Sequence, residues 1–257
     1  MMARSRRIVI SGFLVTIGIG WLVIMWLDWS RLFHFAATGR VDEFLLSRVI
    51  KLGLSFAVTL LVWTASGTGL SSRDRFLMRT VFALFSGADI AFFCAEYHAG
   101  IGIFALGQIV FIFRNAAGIP AVFSDARLTN KARRVVTTLI VTAVVHVVLM
   151  KLIFGPHTDN PMFGMIVGYS VLLCLSLNAG IITRITGYFP GFNSWLLVAG
   201  VVMLYFGDMT VGLNLILPHD RSYIISTSLT WFFYLPAILL FALSAFRWGG
   251  RVTPEAD

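Results

Sequence analysis

Long apolar runs separated by short polar breaks dominate the chain. Their lengths approach the ~20 residues needed to cross a bilayer. Eight such spans can be marked, at Ile8–Leu27, Val49–Trp63, Thr80–Tyr97, Gly100–Phe113, Val135–Phe154, Met162–Ile182, Trp195–Leu215 and Tyr223–Phe246. The second can begin as early as Phe44, with Arg48 and Lys51 snorkelling. Only His98 and Ala99 separate the third from the fourth, which predicts a tight hairpin. The first span follows a basic head (Arg4, Arg6, Arg7) but is too long for a signal-peptide core and meets no small-residue cleavage site, so it is expected to stay.

Composition agrees with this reading. Of 257 residues, 58% are hydrophobic and 12% charged, against roughly 25% charged in a soluble domain. The expected fold is all-α, one polytopic transmembrane domain over residues 1–257. The cysteines, Cys94 and Cys174, fall inside spans and lack metal-site or disulfide-framework spacing.

The basic residues predict orientation. With the N-terminus inside, inner segments carry Arg4, Arg6, Arg7, Arg73, Arg75, Arg79, Arg114, Arg127, Lys131, Arg133, Arg134, Arg184, Arg247 and Arg251, while outer ones carry Arg31, Arg40, Arg48 and Arg221. The positive-inside rule then puts both termini in the cytoplasm, and the expected location is a bacterial inner membrane. The net charge of +8 is thereby assigned to topology and not to nucleic-acid binding. The loop 114–134 reads as a solvated basic loop that can meet anionic lipid heads.

Two carboxylates are stranded in this apolar sequence. Asp89 lies in VFALFSGADIAFFCA and Asp208 in LVAGVVMLYFGDMTVGLNLI, each close behind a glycine. A charge at membrane depth costs several kcal/mol, so such residues face the protein interior and mark pathways, proton relays or sites. One aspartate alone could be a protonated group bonded to a neighbouring helix; a pair on two spans favours function. Counting from the outer span ends places both roughly 10–12 Å deep. Glu96, seven residues past Asp89, is expected on the same helix face. Lys51, Ser86, Gln108, His146, Tyr169, Tyr205, Asn214 and Tyr234 are supporting candidates at middle or outer depth. Lys51 could instead snorkel or neutralise an aspartate, and His146 could be an ordinary hydrogen-bonded interior histidine. The glycines at 87, 100, 102, 107, 200, 207 and 212 could serve helix packing.

Motifs for zinc peptidases, serine hydrolases and P-loops are missing from the sequence, and the last span has no lysine for a retinal Schiff base. Neither metal nor cofactor is expected. What remains is carboxylate acid–base work, in which two aspartates at one depth titrate apart.

The run Ser86-Gly87-Ala88-Asp89, then Gly102, Phe104 and Gln108-Ile-Val-Phe111, resembles the third and fourth spans of the YhhN (lysoplasmalogenase-like) membrane proteins. Gly200 through Gly207-Asp208 and Asn214 is similar to that family's aspartate-bearing helix, Thr230-Trp231-Phe232 to its T-Y-Y stretch, and Lys51 to its K-P lysine. Gln108 stands where the family has histidine, Phe111 where it has tyrosine, Gly207 where it has serine, and Leu235-Pro236 where alanine–glutamine is usual. The resemblance covers about residues 45–245. It implies hydrolysis of the vinyl-ether bond of a lysoplasmalogen, with Asp89 and Asp208 sharing the acid and base roles. Gln108, Asn214 and Tyr169 would hold the water or ether oxygen, and Lys51 the phosphate or an aspartate. The expected partners are a single-chain lipid substrate and the surrounding membrane lipids.

Two other readings fit the same residues. A proton-coupled transporter could use both aspartates, and the stretches Leu84-Phe-Ser-Gly87 and Leu204-Tyr-Phe-Gly207 form a faint parallel repeat. A non-catalytic lipid-binding protein is the third.

Overall fold

Eight long helices, each apolar and long enough to cross a membrane, make up the described residues of the computed structural model. It describes residues 4–40, 45–64, 70–125, 127, 129–246 and 248. Arg247 and Arg251, assigned to the inner side, and Phe44, the early start of span two, lie outside the described residues. So do the side chains of Arg4, Arg6 and Arg7.

The spanning helices are α1 (Arg4–Thr38), α2 (Leu45–Thr64), α3 (Ser72–Phe93), α4 (Tyr97–Asn115), α6 (Thr129–Phe154), α7 (Phe163–Thr186), α8 (Gly191–Asn214) and α9 (Arg221–Ser244); α5 (Ile119–Ser124) is a single short turn-and-a-half after α4. The chain is therefore an all-α polytopic membrane bundle. Its core is built where α3, α4, α8 and α9 meet, around Phe82, Phe85, Phe111, Leu204, Ile238 and Phe241.

Local chemistry explains the helix ends. Ser71 caps α3 by accepting from the Asp74 N–H at 3.0 Å, and Asp220 caps α9 by accepting from the Ser222 N–H at 2.7 Å. Between α3 and α4 the chain closes a Schellman turn: Glu96 N–H bonds Ala91 O at 2.9 Å and Ala95 N–H bonds Phe92 O at 3.1 Å. Ala95 takes the left-handed position at φ 62°, where glycine is usual. This turn ends α3 at Phe93, four residues before the sequence-based boundary. Glu96 is thus off α3 and exposed instead of sharing a face with Asp89. Tyr97, His98 and Ala99 belong to α4.

Helix α1 runs to Thr38, eleven residues past the apolar run that predicted it, and carries Asp28 into the bundle. Small residues set the closest helix approaches. A Cβ on Gly200 would lie 2.5 Å from the Phe241 ring, and one on Gly207 would lie 3.4 Å from Tyr234 N. Helices α8 and α9 therefore touch almost backbone to backbone, which carries Tyr234 inward. On the other side of the core, Gly107 leaves room for Phe85, 2.7 Å from where its Cβ would be.

The two ends of the bundle differ in chemistry. One gathers Arg73, Arg75 and Arg79 at the start of α3, Arg114 at the end of α4 and Arg184 at the end of α7. There Arg114, almost wholly buried, donates Nε–H to Asp74 Oδ1 at 2.6 Å, lies over the Phe189 ring and reaches Asn115 and Ser244. Asp74 in the first turn of α3 and Arg114 in the last turn of α4 each complement their helix dipole. The opposite end holds a cavity.

Candidate functional site

Asp89 and Asp208 line one cavity of about 520 Å³ at the end of the bundle away from the arginine cluster. Both are buried, at 8% and 7% exposure. Asp89 lies four residues before the end of α3 and Asp208 six before the end of α8. At 1.5 Å per residue they sit roughly 6 and 9 Å in, shallower than the sequence-based depth because both helices end earlier than their apolar runs.

Each carboxylate is held by a tyrosine from another helix. Tyr234 of α9 donates its hydroxyl to Asp89, 3.0 Å from Oδ2 and 3.2 Å from Oδ1, and Ser55 of α2 also donates to Oδ2. Tyr169 of α7 donates to Asp208 Oδ2 at 2.5 Å. Phe104 of α4 fixes both tyrosines, with ring centroids 6.5 Å from Tyr169 and 6.0 Å from Tyr234, and is itself stacked on Phe85 at 4.3 Å. A single aromatic ring thus contacts the tyrosines of both acid arms.

Lys51 is committed elsewhere. Its Nζ donates to Asp28 at 2.7 and 2.9 Å and lies 5.5 Å from the Trp231 ring centroid. Asp28 has no exposed surface, and Ser47 donates to it at 3.0 Å. Lys51 therefore neither snorkels nor neutralises Asp89 or Asp208 in this structure. It balances a third carboxylate. Trp231 in turn meets Tyr234 edge-on at 5.4 Å, so the ion pair abuts the group that holds Asp89.

Of the other candidates, Asn214 lines the cavity and donates to Thr230 Oγ1 at 3.2 Å. Four stand behind the wall. Ser86 pairs with Thr59 at 2.7 Å, and Gln108 accepts from Ser176 at 2.6 Å. His146 joins Tyr205 at 2.8 Å and Ser170 at 3.2 Å. Ser170 does line the cavity, so His146 and Tyr205 reach it only through that hydroxyl. Gln108 Nε2 has no hydrogen-bond partner among the described residues.

Sequence reasoning missed Asp28, Ser55 and the cavity-lining pair Arg31 and Arg48. The available signal was the helical spacing 47, 51, 55 along α2, which puts a polar face toward the bundle. Among the described residues, no three of His, Cys, Asp and Glu gather as metal ligands would.

No family model, curated protein or solved structure matches this chain. Any functional reading rests on the cavity's own chemistry.

Proposed function

We propose that this protein is an intramembrane lipid hydrolase, lysoplasmalogenase-like, which cleaves the vinyl-ether bond of a single-chain lysophospholipid by acid–base work of Asp89 and Asp208. The observation that carries the reading is the shared cavity. Two buried carboxylates on separate helices, each positioned by a tyrosine hydroxyl, face a space in the size range of small-ligand sites. The remaining walls include Phe92, Met165, Ile166 and Leu173, which suit a hydrocarbon chain.

The reaction needs one carboxyl to give a proton to the vinyl carbon remote from the ether oxygen. This leaves an oxocarbenium ion. The other carboxylate stabilises it and takes a proton from the water that adds. The resulting hemiacetal collapses to a fatty aldehyde and the glycerol hydroxyl, with one water consumed. The division parallels the acid and stabiliser pair of glycosidases. Asp89, supplied with donors from both Ser55 and Tyr234, is assigned the ionised role; Asp208, with Tyr169 alone, is assigned the proton. The arginine-rich end of the bundle is taken as cytoplasmic, which turns the cavity toward the opposite leaflet.

Purified protein incubated with a panel of lysolipids, with products read by mass spectrometry, tests the proposal. Fatty aldehyde should appear from a lysoplasmalogen, and Asp89→Asn and Asp208→Asn should each lower turnover by about 10²-fold or more while the protein stays folded. Two variants as active as the parent would discard the two-carboxylate mechanism. A wild-type protein inert on every lysolipid would discard the enzyme.

A carrier is the second reading, favoured by one observation: the buried Arg114–Asp74 pair lies at the end opposite the cavity, as in an outward-open transporter. Substrate accumulation inside proteoliposomes without product would select it. Binding with neither flux nor product would select a lipid-binding protein.

A further inference from the structure

We infer that the cavity opens sideways to the bilayer, through a seam between the N-terminal halves of α4 and α7, and that this seam admits the hydrocarbon tail of a single-chain lipid. The inference rests on the lipid reading of the cavity and says by which route the lipid arrives and where its tail lies.

Other helix pairs around the cavity are held together at its own depth. Arg48 of α2 donates to Phe93 O at the end of α3, and Lys51 lies 5.5 Å from the Trp231 ring centroid of α9. Gly100 of α4 admits the Phe92 ring of α3, which would stand 2.6 Å from its Cβ. Ser226 of α9 donates to Thr210 O of α8 at 3.0 Å, and a Cβ on Gly212 of α8 would lie 3.5 Å from Ile166 of α7. Among the described residues, the polar and aromatic contacts that join α4 to α7 lie deeper. Phe104 meets Tyr169 at 6.5 Å between ring centroids, and a turn further in Ser176 donates to Gln108 at 2.6 Å. Phe104 and Tyr169 thus form a floor. They lie seven and six residues from the starts of α4 and α7. At 1.5 Å per residue the seam above them is roughly 9–10 Å tall.

The side chains above that floor are mostly hydrocarbon. Tyr97 and Ile101 come from one face of α4, and Met162, Met165 and Ile166 from one face of α7; all five line the cavity. Ile101 and Met165 are half-buried, and neither belongs to a hydrophobic cluster of the bundle. An apolar side chain that lines a cavity without joining a core offers its surface to an apolar ligand. Length then requires an exit. An extended chain advances roughly 1.2 Å per bond, so a tail of about sixteen carbons is roughly 18 Å long, about twice the height of the seam. Such a tail must leave the cavity. Leaving toward water would expose its methylenes at a cost that leaving into the bilayer avoids. The seam gives that exit at the right place: its floor residue Tyr169 holds Asp208, so a tail lying there has its linkage end beside the carboxylates.

Photolabelling of the full-length protein in lipid vesicles tests this. The probe is a saturated 1-O-alkylglycerol 3-phosphocholine with a diazirine near the middle of its tail, which has no vinyl bond to cleave. Adducts are located by mass spectrometry. The exposed stretch of α6 around Val141 and Val144 reports the level set by surrounding lipid. Residues 97–104 and 162–169 should carry adducts at least about 10-fold above that level. Ile101→Trp and Met165→Trp, which fill the seam, should each cut labelling of Phe104 and Tyr169 about 10-fold and leave α6 unchanged. Met165→Leu, of similar volume, should keep it. Seam labelling no higher than that of α6, adducts gathered instead on α2 and α9, or labelling that survives both tryptophan variants would each overturn the inference. So would a disulfide-linked dimer formed in the membrane by Ile101→Cys in a protein carrying Cys94→Ala and Cys174→Ala, because a second copy would then cover the seam. Labelling is read without turnover, so an inert protein that takes the tail at this seam sinks the hydrolase and upholds the portal. Lysolipid turnover that survives both tryptophan variants does the reverse.

Discussion

Replacing Asp28 or Lys51 singly should damage the protein far more than replacing both. The pair is buried, with Asp28 fully enclosed, and its two Nζ–Oδ contacts of 2.7 and 2.9 Å are supported by Ser47. Removing one partner leaves a charge in a low-dielectric interior, which typically costs about 3–5 kcal/mol. Replacing both by apolar groups of similar volume often costs nothing and can stabilise. Asp28→Leu and Lys51→Met should therefore each lower the unfolding midpoint in detergent by about 6–20 °C, taking 2–4 °C per kcal/mol for a chain of this size. The double variant should fall close to wild type, so that the coupling energy in the cycle is several kcal/mol. Thermal unfolding followed by circular dichroism gives the four values. Single variants within about 1 kcal/mol of wild type would show that Lys51 escapes to water when its partner is lost. A double variant as unstable as the sum of the singles would show that the two groups act on separate neighbours. Either result refutes the assignment of Lys51 to Asp28.

Three further outcomes follow from the same geometry. Tyr169→Phe and Tyr234→Phe each delete the hydroxyl that orients one carboxylate, and lysolipid turnover, measured against folded protein, should fall about 10-fold or more in each. Ala95→Gly relieves a left-handed φ in the α3–α4 turn and should raise stability by about 1 kcal/mol, read as an upward shift of the unfolding midpoint. Gly200→Ala drives a methyl to 2.5 Å from the Phe241 ring, which is buried and packed against Phe111 at 4.4 Å, and should cost about 1–3 kcal/mol in the same measurement.

The spans were legible because hydropathy reports burial in lipid along the chain, residue by residue. Asp89 and Asp208 were legible for the same reason, as exceptions in apolar surroundings. Asp28 was not: in Trp26-Leu27-Asp28-Trp29-Ser30 it stands where an apolar run gives way to polar residues, and it reads as an interfacial end. The helix nevertheless continues ten residues beyond it. Ser55 is an unremarkable hydroxyl until α3 is placed beside α2. Lys51 was visible, but its partner depends on which helices are neighbours, and no periodicity carries that. Gln108 and His146 show the reverse problem. Both are polar at the right depth, and both turn toward neighbouring helices behind the cavity wall.

Helix α6 packs chiefly on α7, and most of its surface, from Val136 through Val148 to Leu152, is turned outward to lipid. Two polar contacts interrupt that surface: Thr142 donates to Asn178 at 2.5 Å, and His146 joins Tyr205 and Ser170. Its tolerance to change should be correspondingly uneven. Exchanges among Val, Ile and Leu along the lipid-facing stripe replace one hydrocarbon contact with another and leave the fold indifferent. At positions 142 and 146 the same exchanges would strand hydroxyl and amide groups of α7 and α8 in an apolar layer. Between Val136 and Leu152, drift in sequence is free along most of the helix and is confined at two points one turn apart.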